Sequence, residues 1–175
     1  MYRGLKKLEL TVMRRGLDYW GAFDLSKDLD FVIRQGEKND LFAVTPEVKY
    51  YVIGRDPEPV LAGLYMGSIG KKTFNLSIEG AYLIASVSDQ KKIKVTGQAE
   101  SLVVYGRDVF GSSITWGDES IKQNEKVIIA NKFGEALGIG RARFDYAGLF
   151  KDQVTVNTEA DMGLYIRGQE EVSGG

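Results

Sequence analysis

Residues 92–143 hold the pattern that most restricts what this chain can fold into. The stretch opens with KIKVTGQAESLVVYGRDVF (Lys92–Phe110), passes through SSITW (Ser112–Trp116), and closes with EKVIIANKFGEALGIGRARF (Glu125–Phe144). Gly106 follows the apolar run Leu102-Val103-Val104-Tyr105, where a helix can end on a left-handed residue because glycine has no Cβ to clash. Val127-Ile128-Ile129 is a β-branched run, Asn131-Lys132-Phe133-Gly134 reads as a turn, and Leu137 and Ile139 alternate on the return. Strand, short helix, strand and hairpin in that order predict a small closed β-barrel with one helix across its mouth.

Composition narrows the chemistry more than the fold. Cysteine and histidine are both absent. This removes disulfides, thiol and imidazole catalysis and thiolate metal sites, and leaves no donor set typical of zinc. No cofactor and no metal are expected. The acidic pairs Asp28/Asp30 and Asp118/Glu119 have no partner suited to acid–base work, so no enzymatic activity is expected. No apolar run approaches the ~20 residues a bilayer span needs, so no membrane association is expected. MYRGLKKLEL lacks a signal-peptide layout, and a cytoplasmic location follows as an expectation. The net charge is −1, from 23 basic and 24 acidic residues. Nucleic-acid binding would therefore need local clustering of cations.

The N-terminal part reads as mixed α and β. Gly4–Leu17 is an amphipathic helix with Leu5, Leu8, Val12 and Met13 inward and Lys6, Lys7, Arg14 and Arg15 elsewhere. A strand over Leu29–Gln35, a turn at Lys38–Asp40 and a strand over Leu41–Val44 follow. Thr45 caps a helix that has Pro46 at its first position and Val48, Tyr51 and Val52 buried, with Gly54 ending it. Val60–Met66 and Phe74–Leu76 are strands, and Ser77 starts a helix with Leu83, Ile84 and Val87 inward. Ser88–Lys91 is a short polar linker, which gives an N-terminal α/β domain over 1–90 and a second domain over 91–175. In the last segment Val154 and Val156 mark a strand. Thr158 with Asp161 marks the cap of a short helix closed by Gly168.

Two glycine-rich stretches invite nucleotide-binding readings and fail on spacing. GSIGKKT (Gly67–Thr73) lacks the Gly-x4-Gly-Lys-Ser/Thr arrangement of a phosphate loop. GIGRAR lacks a third glycine and a following helix. Lys71 and Lys72 remain candidates for secondary, non-specific phosphate contacts. On the GIGRAR strand, Ala136, Gly138, Gly140 and Ala142 share a flat face. Leu137, Ile139, Arg141 and Arg143 share the other, provided no bulge intervenes. Tyr105, Phe133, Tyr146 and Phe150 are candidates for stacking on bases, with Tyr105 expected to pack against the barrel.

Ala99–Phe110 (AESLVVYGRDVF), Gly138–Ala142 (GIGRA) and Ala160–Arg167 (ADMGLYIR) carry a family resemblance. The first two, with VIIANKFGEAL between them, resemble a PUA domain, an RNA-binding pseudo-barrel. The chain from about residue 5 to 170 resembles the archaeal form of the Nip-seven family of large-subunit ribosome biogenesis factors. The resemblance implies an α+β chain in which an α/β domain with an antiparallel sheet precedes a PUA-type pseudo-barrel. It implies RNA binding by a groove between the late arginine strand and the helix after the first strand. On this chain the groove residues carried over would be Arg107, Arg141 and Arg143; Lys91, Lys92, Lys94, Lys132 and Lys151 are further candidate RNA contacts. It further implies pre-ribosomal or single-stranded, uridine-rich RNA as ligand, with ribosome assembly or exosome proteins as partners. A monomer is expected. Some archaeal relatives carry a compact basic cluster before the final helix; here DQVTVNTEAD (Asp152–Asp161) has no cation, and only Lys151 precedes it. The alternative is an adaptor that docks proteins through its N-terminal domain and has little RNA affinity.

Overall fold

The computed structural model describes residues 1–163, which form two compact units, Met1–Ile84 and the chain from Ala85 onward. The first unit is built on a five-stranded antiparallel sheet in chain order: β1 (Tyr2–Arg3), β2 (Asp30–Gln35), β3 (Asn39–Val44), β4 (Leu64–Ile69) and β5 (Phe74–Leu76). Helices α1 (Lys7–Tyr19), α2 (Leu25–Asp28) and α3 (Pro46–Val52) connect its strands, and α4 (Ile78–Val87) leads out of it. Phe31, Val32 and Ile33 are all buried in succession on β2, so this sheet is covered on both faces instead of one.

The inward stripe of α1 is Val12, Met13 and Leu17, with Glu9 among them, while Leu8 points to solvent. The rotation relative to the expected stripe has an electrostatic cause. Arg3 Nη1 and Nη2 donate to the two oxygens of Glu9 at 2.8 Å each, the Lys6 amide donates to Glu9 at 2.7 Å, and the Asn39 amide group reaches it at 3.4 Å. Satisfied in this way, the carboxylate can enter the interior. The Arg3 hydrogen bonds hold the Glu9 carboxyl below the usual glutamate range, against the opposing effect of burial. A depressed folded-state value means the stabilisation is present above the unfolded-state pKa of about 4.3 and is lost as pH falls through the folded value. Glu9→Gln is therefore expected to destabilise the N-terminal unit by about 1.5 kcal/mol at neutral pH. It should also flatten the fall in stability below pH ~4. Urea midpoints measured from pH 2 to 7 test this, and parallel pH profiles for the two proteins would count against it.

Other elements depart locally from expectation. Thr45 Oγ1 accepts from the Val48 amide at 3.4 Å with Pro46 behind it, as its position in the sequence indicates, but Tyr51 is 58% exposed. The strand expected from Val60 begins at Leu64, because Pro57 and Pro59 keep the preceding segment in a loop that leaves Val60 and Leu61 exposed. The β2–β3 turn is Gly36–Lys38, with Asn39 already paired to Gln35. On α4 Ile78, Ala81, Ile84 and Ala85 are buried and Val87 is exposed, while Ser77 Oγ accepts from the Gly80 amide at 3.0 Å.

The second unit is a nearly closed six-stranded barrel. Its strands are β6 (Lys92–Val95), β7 (Val109–Phe110), β8 (Ile114–Gly117), β9 (Lys126–Ala130), β10 (Ala136–Ala142) and β11 (Val154–Asp161), ordered β7-β11-β10-β9-β6-β8. All pairs are antiparallel except β6–β9. Helix α5 (Gln98–Val104) follows β6 and drops Ala99 and Val103 into a core with Ile93, Val95, Val127, Ile129, Leu149 and Val156. It closes through Gly106, at φ +76°, with the Arg107 amide donating to Leu102 O and the Gly106 amide to Val103 O. This is the left-handed ending the sequence indicates. The residues read as a capping box lie inside β11. Thr158 spends its amide on Asp108 and its hydroxyl on Arg107 O, so the backbone stays extended. Gly168 falls outside the described residues.

Candidate nucleic-acid interface

The proposed cations do not gather in one groove. Lys91 and Lys92 are 8% and 2% exposed. Lys91 Nζ donates to Glu125 and to Ser120 O, each at 2.7 Å, and its amide donates to Asp118. Lys92 Nζ donates to Asp89 and to Ala85 O, each at 2.8 Å. These pairings hold the edge of the barrel together and keep both ammonium groups away from solvent. The Lys92 hydrogen bond holds the Asp89 carboxyl below its ordinary range. Burial pushes Asp118 up, but the Ser120 hydroxyl and the amides of Lys91 and Ser120 outweigh it and the net shift is downward.

The arginine strand does present a cationic face. Bulges interrupt β10 between Ala136 and Gly138 on the β9 side and between Ile139 and Gly140 on the β11 side. Leu137 thereby packs against the barrel core, while Ile139 is buried outside that cluster. Beyond the bulges the pleat resumes. Gly140 and Ala142 are buried, and Arg141 and Arg143 project from the opposite face, about 6.6 Å apart along the strand. Lys126, opposite Arg141 on β9, adds a third cation. The counter-charge is Glu159, 2.7 Å from Arg141 Nε and 3.8 Å from Lys126 Nζ. Arg141 Nη1 also donates to Asn124 O at 2.7 Å, whereas among the described residues Arg143 makes one long contact, to Val154 O at 3.5 Å. Neither arginine pairs with Asp145 or Glu100 among these bonds; Asp145 instead accepts from the Gln123 amide.

Arg107 is brought toward this face through the backbone. Its carbonyl accepts from Thr158, while Asp108 binds the Thr158 amide and the side chain of Asn157, the residue paired with Arg141. Further along β11, Phe110 pairs with Val154, whose carbonyl Arg143 touches. Lys151 Nζ lies 4.9 Å above the Phe144 ring. Phe110 is 50% exposed. This end of the barrel thus joins guanidinium groups to accessible aromatic edges, a combination suited to phosphates and unpaired bases.

Lys94 and Lys132 lie at the other end of the strands. Lys94 sits 5.2 Å over the Trp116 ring and Lys132 5.0 Å over Phe133. Lys71 and Lys72 occupy the β4–β5 hairpin tip in the first unit, where Gly70 donates to Thr73 O and Arg15 to Lys72 O. Tyr105 is 68% exposed and does not pack on the barrel; Tyr146 and Phe150 meet edge to face at 5.3 Å. Sequence reasoning missed Lys126 and Trp116. Counting back from the Asn131–Gly134 turn would place Lys126 across from Arg141 once the bulge is allowed for. Trp116 had only its place at the end of SSITW as a signal. Among the described residues no group of three or more Asp or Glu side chains is placed to hold a metal ion.

A pseudo-barrel of this strand order, with a helix across its mouth and a cationic late strand, is a PUA domain, a module that generally binds RNA. Residues 91–170 match the UPF0113 PUA domain family. The chain belongs to the UPF0113 family: it is 34% identical over 165 residues to the UPF0113 protein of Archaeoglobus fulgidus, covering 93% of this chain and 92% of that one. It is 30% identical over 118 residues to the Aeropyrum pernix UPF0113 protein, covering 66% of this chain and 62% of that relative. The fold is shared with a PUA-domain protein of Thermoplasma acidophilum (TM-score 0.67, 15% identity, 96% of this chain and 99% of that one). It is shared also with a hypothetical protein of Pyrococcus horikoshii (TM-score 0.66, 15% identity, 92% and 94%).

Proposed function

We propose that this protein is a non-enzymatic RNA-binding factor that acts in the cytoplasm on precursors of the large ribosomal subunit. The observation that carries the reading is the Lys126–Arg141–Arg143 face of the barrel, where Glu159 pairs with Arg141 and Lys126 and Arg143 stands two residues along from Arg141. Binding is an equilibrium between phosphates and these cations, so affinity falls with salt by about 0.7 in the log–log slope for each single-strand phosphate neutralised. Ultraviolet cross-linking in cells followed by sequencing of the bound RNA tests the role. Enrichment of pre-ribosomal RNA is the expected result, and recovery no greater than that of a non-binding control protein overturns it.

Glu159 restrains this face. Glu159→Gln removes the negative charge that pairs with Arg141 and Lys126 and is expected to tighten RNA binding about two- to fivefold at low ionic strength, the scale of an exposed ion pair. The gain should shrink in high salt. A titration showing weaker binding would mean that Glu159 positions Arg141 for the ligand instead of competing with it.

A second reading has its own observation. Tyr50, Tyr51, Ile53, Val60 and Leu61 are all exposed in the first unit, with Arg55 lying 5.3 Å over Tyr51. So many accessible apolar groups suit a protein-docking surface for assembly or RNA-processing proteins. Affinity capture from extract with and without nuclease separates the readings, since protein partners that persist after nuclease support the adaptor.

A further inference from the structure

We propose that Trp116 and Phe133, with Lys94 and Lys132, form a second contact for single-stranded RNA that recognises bases by stacking, apart from the arginine face. The inference rests on the RNA-binding reading above and assigns a distinct surface within it. Trp116 is 39% and Phe133 75% exposed, although aromatic rings of this size are ordinarily drawn into a core. Each ring carries an ammonium group over it, Lys94 at 5.2 Å and Lys132 at 5.0 Å.

The geometry joins the two pairs into one surface. Lys94 pairs with Trp116 across β6–β8 and with Ala130 across β6–β9, which places it next to the turn that follows Ala130. Its Cε lies 3.7 Å from the position a Cβ would take at Gly134, so the Lys94 side chain spans from the Trp116 ring to the Phe133 turn. The turn itself is tied down. Asn131 Oδ1 accepts from the amides of Phe133 and Glu135 at 3.0 Å each, and Asn131 Nδ2 donates to Glu135 at 2.9 Å. Phe133 is therefore held out on a fixed support, with little ordering left to be done on binding. Two acidic groups lie nearby: Glu135 is engaged by Asn131, and Asp89 is engaged by Lys92. Lys132 is exposed and lies over Phe133; Lys94 is half-buried over Trp116 and within electrostatic reach of Asp89, whose hydrogen bond goes to Lys92, so Lys94 keeps part of its charge for a phosphate.

Exposed rings flanked by cations are the recurring platform for unpaired nucleic acid, because every base offers a π-face and every linkage a negative charge. A duplex would hide those faces, and an acidic peptide would satisfy the lysines but gain nothing from the rings. The chemistry therefore selects a single strand. Topology separates this surface from the arginine face by the length of β10, roughly 20 Å for seven strand residues. A strand long enough to reach both would be held at its backbone by one and at its bases by the other.

The test compares a 12-mer oligouridylate with an abasic oligonucleotide of equal length, using the full chain. Wild-type protein should bind the base-bearing strand more tightly, with quenching of Trp116 emission. Trp116→Phe should keep that preference and lose the quenching that Trp116 contributes. The double variant Trp116→Leu, Phe133→Ala should lose the preference, weakening oligouridylate binding by about fivefold or more per ring while leaving abasic binding unchanged. Both sites are solvent-accessible, and circular dichroism is the control that each variant is folded. Equal oligouridylate affinity in wild type and double variant overturns the stacking surface. So does quenching by polyglutamate without quenching by RNA. Loss of binding in the arginine variants alone leaves the RNA-binding reading standing without this surface. Absence of any RNA binding by wild type removes both.

Discussion

Gly111→Ala is expected to destabilise the C-terminal unit by about 4 kcal/mol, at the upper end of single-residue effects. Gly111 lies between β7 and β8 at the point where the chain passes under the segment that leads into β11. A Cβ there would stand 2.1 Å from Lys151 O, 2.3 Å from Leu149 O and 2.7 Å from the Lys151 amide nitrogen. All three are backbone atoms, so no rotamer change relieves the overlap. Retreat is blocked as well. Leu149 is fully buried in the barrel core, its carbonyl accepts the Thr155 hydroxyl at 2.7 Å, and the Gly111 amide is bound to Gln153 O. The same segment supports the binding face, because the Arg143 amide donates to Thr155 O. Urea unfolding followed by circular dichroism measures the loss, and hydrogen exchange assigns it to residues after Ala85. Gly4→Ala is the control, since a Cβ at Gly4 meets nothing within 4 Å. Equal midpoints for the two variants would mean that the crossing is loose.

Arg141→Ala with Arg143→Ala should weaken binding to ribosomal RNA by about 2 kcal/mol, near thirtyfold. It should also lower the salt slope by about 1.4, the value for two single-strand phosphate contacts. The single variants should not contribute equally. Arg141 already spends its guanidinium on Glu159 and Asn124 O, so part of its charge is neutralised before RNA arrives. Among the described residues Arg143 makes only the long contact to Val154 O, so Arg143→Ala should account for most of the affinity loss and leave stability unchanged. Arg141→Ala should instead loosen the Asn124 loop, where Asn124 sits at φ +67°. Filter binding at two salt concentrations, with a melting curve for each variant, separates these effects. Unchanged affinity and slope in the double variant would remove the arginine face from the function.

Local pattern carried much of the architecture. The β-branched run Val127–Ile129, the Asn131–Gly134 turn and the Gly106 helix ending are decided by neighbours within a few residues, and they form where the sequence indicates. The α1 stripe was harder to read because its register depends on Arg3, which enters Glu9 into the interior from outside the helix. Thr158–Asp161 is strand and not helix for a similar reason. Thr158 next to acidic residues looks like a cap locally, but Asp108, 50 residues earlier in the chain, takes its amide.

The cations show the division most clearly. The sequence by itself determined that RNA contact would have to be local, because the chain is nearly neutral, and it placed Arg141 and Arg143 two apart on one strand. Only the tertiary structure decided which charges face solvent. Lys91 and Lys92 stand beside Lys94 in sequence, yet the first two are drawn inward by Glu125 and Asp89 while the third lies over Trp116. A side chain's charge is fixed by its covalent chemistry. Whether that charge is spent inside the protein or left for a ligand depends on carboxylates and rings that the fold brings from elsewhere in the chain, and no local pattern contains that information.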